Sequence, residues 1–224
     1  MSLHLQHRLE KIKRRVLMLG GTVEETLADA VRAIQDRDTA LADRVIEGDE
    51  RIDIMEVELE EECLATLALE QPVASDLRFL VAVLKMNSDL ERIGDLAANL
   101  AEQARFLASE PPLDHVPFDL TEMFEIVHRM VKDSLDALVE RDAHRAERVR
   151  ATDDEVDRRY ADSYAAVGAL LGEDPSRAAR LIHYLSIARA LERVADHAVA
   201  IAEDVIYLVY GEIRRHAPPK VKLS

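Results

Sequence analysis

The sequence predicts an all-α protein built as two tandem antiparallel three-helix bundles, and three observations predict it. Hydrophobic residues make up 48% of the 224 and charged residues 33%, while Gly and Pro number seven each. That is the composition of a packed helical chain and not of a disordered one. No stretch alternates apolar and polar residues as a half-buried strand would. Third, the chain repeats itself. Leu90-Glu91-Arg92-Ile93-Gly94-Asp95 returns as Leu191-Glu192-Arg193-Val194-Ala195-Asp196 at an offset of 101 residues, and Asp49-Glu50-Arg51-Ile52-Asp53 returns as Asp153-Asp154-Glu155-Val156-Asp157 at an offset of 104. A repeat this long is a duplicated domain rather than a solenoid of short units.

The elements follow in order. A first helix is expected near 3–36, and Asp38 offers the N-cap of a second near 38–70. Gln71-Pro72 ends that helix before a third near 73–109. The segment from Ser109 to Pro117 holds three of the seven prolines, so 111–117 is expected to link a first bundle at 1–110 to a second at 118–216. Asp119 followed by Glu122 resembles a capping box for a fourth helix near 119–140. Asp142 repeats the Asp38 signal for a fifth near 142–171. Asp174-Pro175 supplies an N-cap and a first-turn proline for a sixth near 175–215. Pro218-Pro219 closes it before a short basic tail at 217–224. Helices one, three and six are long enough to run between the halves or to project into a partner.

Charge narrows the function classes. Forty-four acids against 29 bases give a net charge of −15, a field that opposes nucleic-acid backbones and anionic lipid. The excess is uneven. Residues 47–62 hold nine acids and one Arg, while Arg8, Lys11, Lys13, Arg14 and Arg15 make the N-terminus basic. No apolar run is long enough for membrane insertion, and no signal peptide is evident. The one cysteine, Cys63, fits a reducing compartment and a place in the core. A cytoplasmic location is expected.

The repeated segments place carboxylates four residues apart, on one helix face. Like charges so spaced destabilise a helix by roughly 0.2–0.5 kcal/mol per pair unless something positive lies between them. On helix two, Asp49, Asp53, Glu56 and Glu60 border the apolar arc formed by Val45, Ile52 and Cys63 instead of opposing it, and Asp153 and Asp157 take the same bearing on helix five. On helices three and six, Glu91 with Asp95 and Glu192 with Asp196 lie opposite the main apolar face, but in line with Leu84 and Leu185 a turn or more earlier. A groove at the edge of each bundle is expected to hold them. Grouped carboxylates without a nearby thiolate suit hard cations, Mg, Mn or Fe. Spacing alone leaves open a solvated acidic face and a docking surface for a basic partner.

Other constellations carry less. A ferritin-type di-iron site needs Glu-x-x-His on two helices, and only Glu125 with His128 fits, so His128 reads as an ordinary helix residue. Gly20-Gly21 lacks the context of a phosphate loop. Arg92 and Arg193 are expected to pair with neighbouring acids. No nucleophile with a supporting base is present.

Pro72-Val73-Ala74-Ser75-Asp76-Leu77-Arg78, then Asp89-Leu90-Glu91-Arg92-Ile93-Gly94-Asp95 through Asn99 and Glu102, resemble the first repeat of the PhoU family. Leu191-Glu192-Arg193-Val194-Ala195-Asp196-His197 through Glu203 resembles the second. The likeness covers nearly the whole chain. It implies two three-helix bundles, usually in a homodimer, and a negative regulator of the phosphate-starvation response. Such a regulator links the ATPase of the phosphate ABC transporter to a membrane sensor histidine kinase and is not an enzyme. Carried over by position, Asp49, Asp53, Glu91 and Asp95 would form one metal site, and Asp153, Asp157, Glu192 and Asp196 the other. Leu96 stands where the family commonly has His, and Ala200 where it commonly has Asn. Tyr160 and Tyr164 replace Glu56 and Glu60 in the second half, so its metal is expected to bind more weakly or not at all. The rival reading is a carboxylate-bridged metalloenzyme or metal store.

Overall fold

A computed structural model describes residues 3–116, 118–173 and 175–212. The order is α1 (Leu3–Asp36), α2 (Thr39–Glu70), α3 (Ala74–Ser109), α4 (Leu120–Glu140), α5 (Ala143–Glu173), a 3-10 turn (Pro175–Arg177) and α6 (Ala178–Tyr210). Among the described residues there is no strand. The all-α expectation holds.

Local chemistry explains the boundaries. Arg37 and Arg141 adopt left-handed φ of 54° and 53°, and the Asp after each caps the next helix. Asp38 accepts from the Leu41 N–H at 2.9 Å, and Asp142 from those of His144 and Arg145 at 2.9 and 3.0 Å. These bonds hold the Asp142 carboxyl below its ordinary range, the Arg145 N–H foremost. Asp119 caps α4 through the Glu122 N–H at 2.9 Å. The expected box is only half closed, because the Glu122 carboxylate turns to Arg159 at 2.6 and 2.8 Å; a bidentate guanidinium outcompetes one backbone N–H. The sixth helix also departs from expectation. Pro175 opens a 3-10 turn and α6 starts only at Ala178. Its far end comes at Tyr210, where Gly211 takes φ 72° and closes the last turn. Asp174, Pro117 and the tail lie outside the described residues.

Helices α1, α2 and α3 pack on one another, as do α4, α5 and α6, and the two triplets meet along α3 against α6 and, more locally, α1 against α4. One apolar core runs through all six helices, from Ile12 and Leu19 through Ile52, Leu90 and Ile93 to Val194 and Ile201. Gly20 sits mid-helix, not in a loop. A Cβ there would stand 2.7 Å from Leu135 Cδ2, so bare backbone lets α1 meet α4.

Polar contacts mark the α3–α6 seam. Lys85 Nζ reaches Asp204 Oδ1 at 3.0 Å, His197 Nδ1 meets Asp89 Oδ1 at 2.9 Å, and His183 Nδ1 meets Gln103 Oε1 at 2.6 Å while its ring stacks on Phe106. The linker is pinned from both sides. Arg37 donates to the Leu107 and Glu110 carbonyls, and Arg180 to the Pro111 carbonyl at 3.0 Å.

Candidate metal centre

The uneven charge resolves into pairs, with a remainder. α1 lays its basic face on α2: Arg8 meets Glu70 at 3.4 Å, Lys11 meets Glu62 at 2.6 Å, and Arg15 meets Glu58 and Glu62 at 3.3 and 3.0 Å. Asp49, Asp53 and Glu60 have no ion pair among the described residues and face α3 or solvent instead. Glu56 is held by buried Asn87, whose amide donates to its carbonyl and its Oε1 at 2.9 and 3.0 Å. Sequence reading did not single out Asn87. An amide inside the apolar face of a helix was the available signal.

The repeated carboxylates come together electrostatically in each half. Burial raises the Asp49 carboxyl above its ordinary range, with Asp53 and Asp95 adding to the rise. Glu91 is raised by burial and by Asp95, against the Arg92 guanidinium that opposes the shift, and then by Asp53 and Glu56. Burial also raises Glu56, with Glu60 and Asp53 contributing. In the second half burial pushes Asp153 up to about 7, helped by Asp157, Asp196, Asp154 and Glu192. Glu192 and Asp196 are raised by burial first and by their carboxylate neighbours next. Each cluster thus spans two helices, α2 with α3 and α5 with α6. All eight residues lie half-buried or exposed, along the bundle edge.

Two features of the first cluster bear on its fit to a cation. Asp49 Oδ1 is buried with no hydrogen-bond partner, which is costly for a carboxylate oxygen. It lies 3.6 Å from where a Cβ on Gly94 would be, so the missing side chain brings α3 close to Asp49. An all-oxygen donor set, one oxygen unsatisfied and raised carboxyls fit a hard divalent or trivalent ion. As the side chains stand, no three acids, His or Cys converge as a ligand group among the described residues. Coulombic coupling reaches further than a ligand bond, so the clusters are joined electrostatically without a closed coordination shell. Arg92 also competes here, meeting Asp95 at 3.0 Å and Glu91 at 3.5 Å. Arg193 closes no salt bridge among the described residues, though it attracts the neighbouring Glu192 and Asp196 at longer range. Its exposed side chain faces a groove with other guanidinium groups.

The remaining candidates fall into place. Cys63 is fully buried and its thiol is pushed up to about 12, chiefly by burial, so it is inert. His128 lies 3.4 Å from Glu24 and tilts against Phe124, away from both clusters.

The raised carboxyls make a pH prediction. The folded chain holds a proton on Asp153 up to about pH 7, whereas an unfolded Asp releases it near ~3.9. This group therefore stabilises the fold fully below the lower value, and the contribution is lost as pH rises through 7. The other raised carboxyls share that sign. In chelator-treated protein, Asp153→Asn is expected to raise stability by about 1 kcal/mol at pH 8, allowing for solvent screening of a half-exposed group, and by about a third of that at pH 5, where the unfolded Asp is already ionised and the folded one is not. Urea titrations at the two pH values check it.

The fold, a duplicated helix triplet, is shared with known proteins. The PhoU domain profile matches residues 16–104 and 120–205. The chain is similar to the phosphate-specific transport system accessory protein PhoU homologs of Pseudomonas aeruginosa and Aquifex aeolicus. It is 40% identical to the first over 93% of its own length and 86% of the relative's, and 40% identical to the second over 96% of each. The crystal structure of PhoU from P. aeruginosa superposes with a TM-score of 0.90 at 39% identity, covering 92% of this chain and 99% of that one. That of the phosphate transport system regulatory protein PhoU from Streptococcus pneumoniae superposes at 0.83 with 30% identity, covering 93% and 98%. The chain belongs to the PhoU family.

Proposed function

We propose that this chain is an accessory and regulatory protein of phosphate transport and not an enzyme. It represses the phosphate-starvation response when phosphate is plentiful, by linking the ATPase of the phosphate ABC transporter to a membrane sensor histidine kinase. The observation that carries this reading is the near full-length match, in sequence and in fold, to proteins named for that system. No described helix is long and apolar enough to cross a membrane, in keeping with a partner that docks on membrane proteins from the cytoplasm. A homodimer is part of the proposal. Ile54, Val57 and Leu64 are about half exposed along α2, and a second copy would cover such a surface.

The carboxylate clusters serve this role as metal sites. Asp49, Asp53, Glu91 and Asp95 would hold one Mg, Mn or Fe ion, and Asp153, Asp157, Glu192 and Asp196 a second. The ion supplies positive charge. The residues themselves fix the pairing of α2 with α3 and of α5 with α6, and so the shape presented to partners. The second half offers Tyr160 and Tyr164 where the first has Glu56 and Glu60, so its ion is the weaker of the two.

Deleting the gene is expected to switch phosphate-starvation reporters on in phosphate-rich medium, and a plasmid copy of this chain to switch them off again. Normal repression in the deletion strain would refute the regulatory reading.

A further inference from the structure

We propose that the groove between α3 and α6 is an anion site that takes the phosphate group of a small molecule. The groove encloses about 610 Å³ and is lined by Arg92, Asn99 and Gln103 from α3 and by Ser186, Arg189 and Arg193 from α6, over a floor that includes Leu96 and Ala190. Its volume suits a small ligand rather than a macromolecular surface.

The charge in this groove runs against the rest of the chain. Three guanidinium groups face one carboxylate, Asp95, in a protein of net charge −15. Asp95 is taken by Arg92 at 3.0 Å. That leaves Arg189 and Arg193 exposed and, among the described residues, without a salt bridge. Both attract Glu192 at longer range, and Arg193 also attracts Asp196, without a contact to either. The two stand one turn apart on α6, a spacing at which like charges disfavour the helix unless an opposite charge lies between them. Across the groove Asn99 and Gln103, also one turn apart, add amide groups. Gln103 Oε1 is engaged with His183 Nδ1, which leaves its NH2 to donate.

The chemistry selects the ligand. Guanidinium forks bind tetrahedral oxyanions through paired N–H donors. A phosphate group near neutral pH carries up to two negative charges, matching the two arginines that form no salt bridge among the described residues. Long polyanions are opposed by the field of the whole chain, whereas a small anion inside the groove lies within a Debye length, about 8 Å, of the arginines. Duplication does not account for the site. Arg92 and Arg193 are counterparts in the repeat, but the counterpart of Arg189 is Ser88. Asp95 belongs both to this groove and to the first carboxylate cluster; a metal bound there would release Arg92 toward the groove, and Arg189 and Arg193 carry the site in either case.

The test is isothermal titration calorimetry of the full chain in chloride buffer, with inorganic phosphate and with ADP as separate titrants. Saturable binding of either is expected, and weakening by at least about tenfold in Arg189→Gln with Arg193→Gln. The control Arg44→Gln with Arg105→Gln, which removes the same charge outside the groove, should bind like the parent. Binding of inorganic phosphate identifies a free oxyanion ligand; binding of ADP alone identifies the phosphate group of a nucleotide. The altered arginines are exposed, and circular dichroism verifies that both variants fold. Absence of saturable binding of either titrant up to about 10 mM overturns the proposal. So does equal binding by the groove variant, or equal weakening by the control.

Discussion

Adding Mn or Fe ions to metal-free protein should raise its thermal midpoint by about 5–10 °C. At a metal concentration 100 times the dissociation constant, mass action stabilises the folded state by about 2.7 kcal/mol. For a chain of this size each kcal/mol shifts the midpoint by about 2–4 °C. The rise comes from carboxylates that repel one another when no cation is bound: Asp49 against Asp53 and Asp95, and Asp153 against Asp157, Asp196 and Glu192. Neutralising them must therefore act in opposite directions with and without metal. Asp49→Asn with Asp95→Asn, combined with Asp153→Asn and Asp196→Asn, should make metal-free protein slightly more stable and abolish the response to metal. A surface that merely gathered counter-ions would show neither the size of the first effect nor the crossing of the second. Scanning calorimetry with and without metal reads both, and an undiminished metal response in the fourfold variant would refute the assignment.

Gly94→Val should cost about 1–3 kcal/mol and remove the metal response of the first half alone. A Cβ at this position would stand 3.0 and 3.1 Å from Ile52 Cδ1 and Cγ2 and 3.6 Å from Asp49 Oδ1. Ile52 and Gly94 are both buried, so the added methyl groups must push α3 away from α2, and overpacking of a filled core costs that much. The displacement carries Glu91 and Asp95 away from Asp49 and Asp53. In the second half the matching residue is Ala195, itself fully buried, so α5 and α6 already accommodate a Cβ. The response that rests on Asp153, Asp157, Glu192 and Asp196 should survive. Denaturant titration gives the cost, and metal titration of Gly94→Val against the parent gives the rest. Loss of both responses together would mean that the variant fails through general unfolding and that the local account is wrong.

What was legible in the sequence was local. Asp38, Asp119 and Asp142 announce helix starts because a cap is decided within three residues of itself. The carboxylate clusters were legible because two periodicities, four residues within a helix and about a hundred between halves, coincide on the same acids. What escaped depends on distant partners. Lys85 with Asp204, Asp89 with His197 and Gln103 with His183 are separated by 119, 108 and 80 residues. Nor does the repeat predict the Asp89–His197 contact, since the counterparts of these residues are Ala190 and Leu96. Arg193 attracts its neighbours Glu192 and Asp196, as its place among acids suggests, but that it also lines a groove with Arg92 and Arg189 depends on α3 packing against α6. The basic N-terminus and the acidic second helix were visible as separate excesses. That α1 neutralises Glu58, Glu62 and Glu70 while leaving Asp49 and Asp53 unpaired required the packing of the two helices.

Anomalous diffraction from crystals grown with manganese bears most directly on the claim that paired helices in each half gather their acids around a cation. The account predicts a strong peak between α2 and α3 beside Asp49 and Asp95, and a weaker one between α5 and α6 beside Asp153 and Asp196. Density showing those carboxylates ordered but turned to water, with no peak near them or with manganese bound only elsewhere, would contradict it.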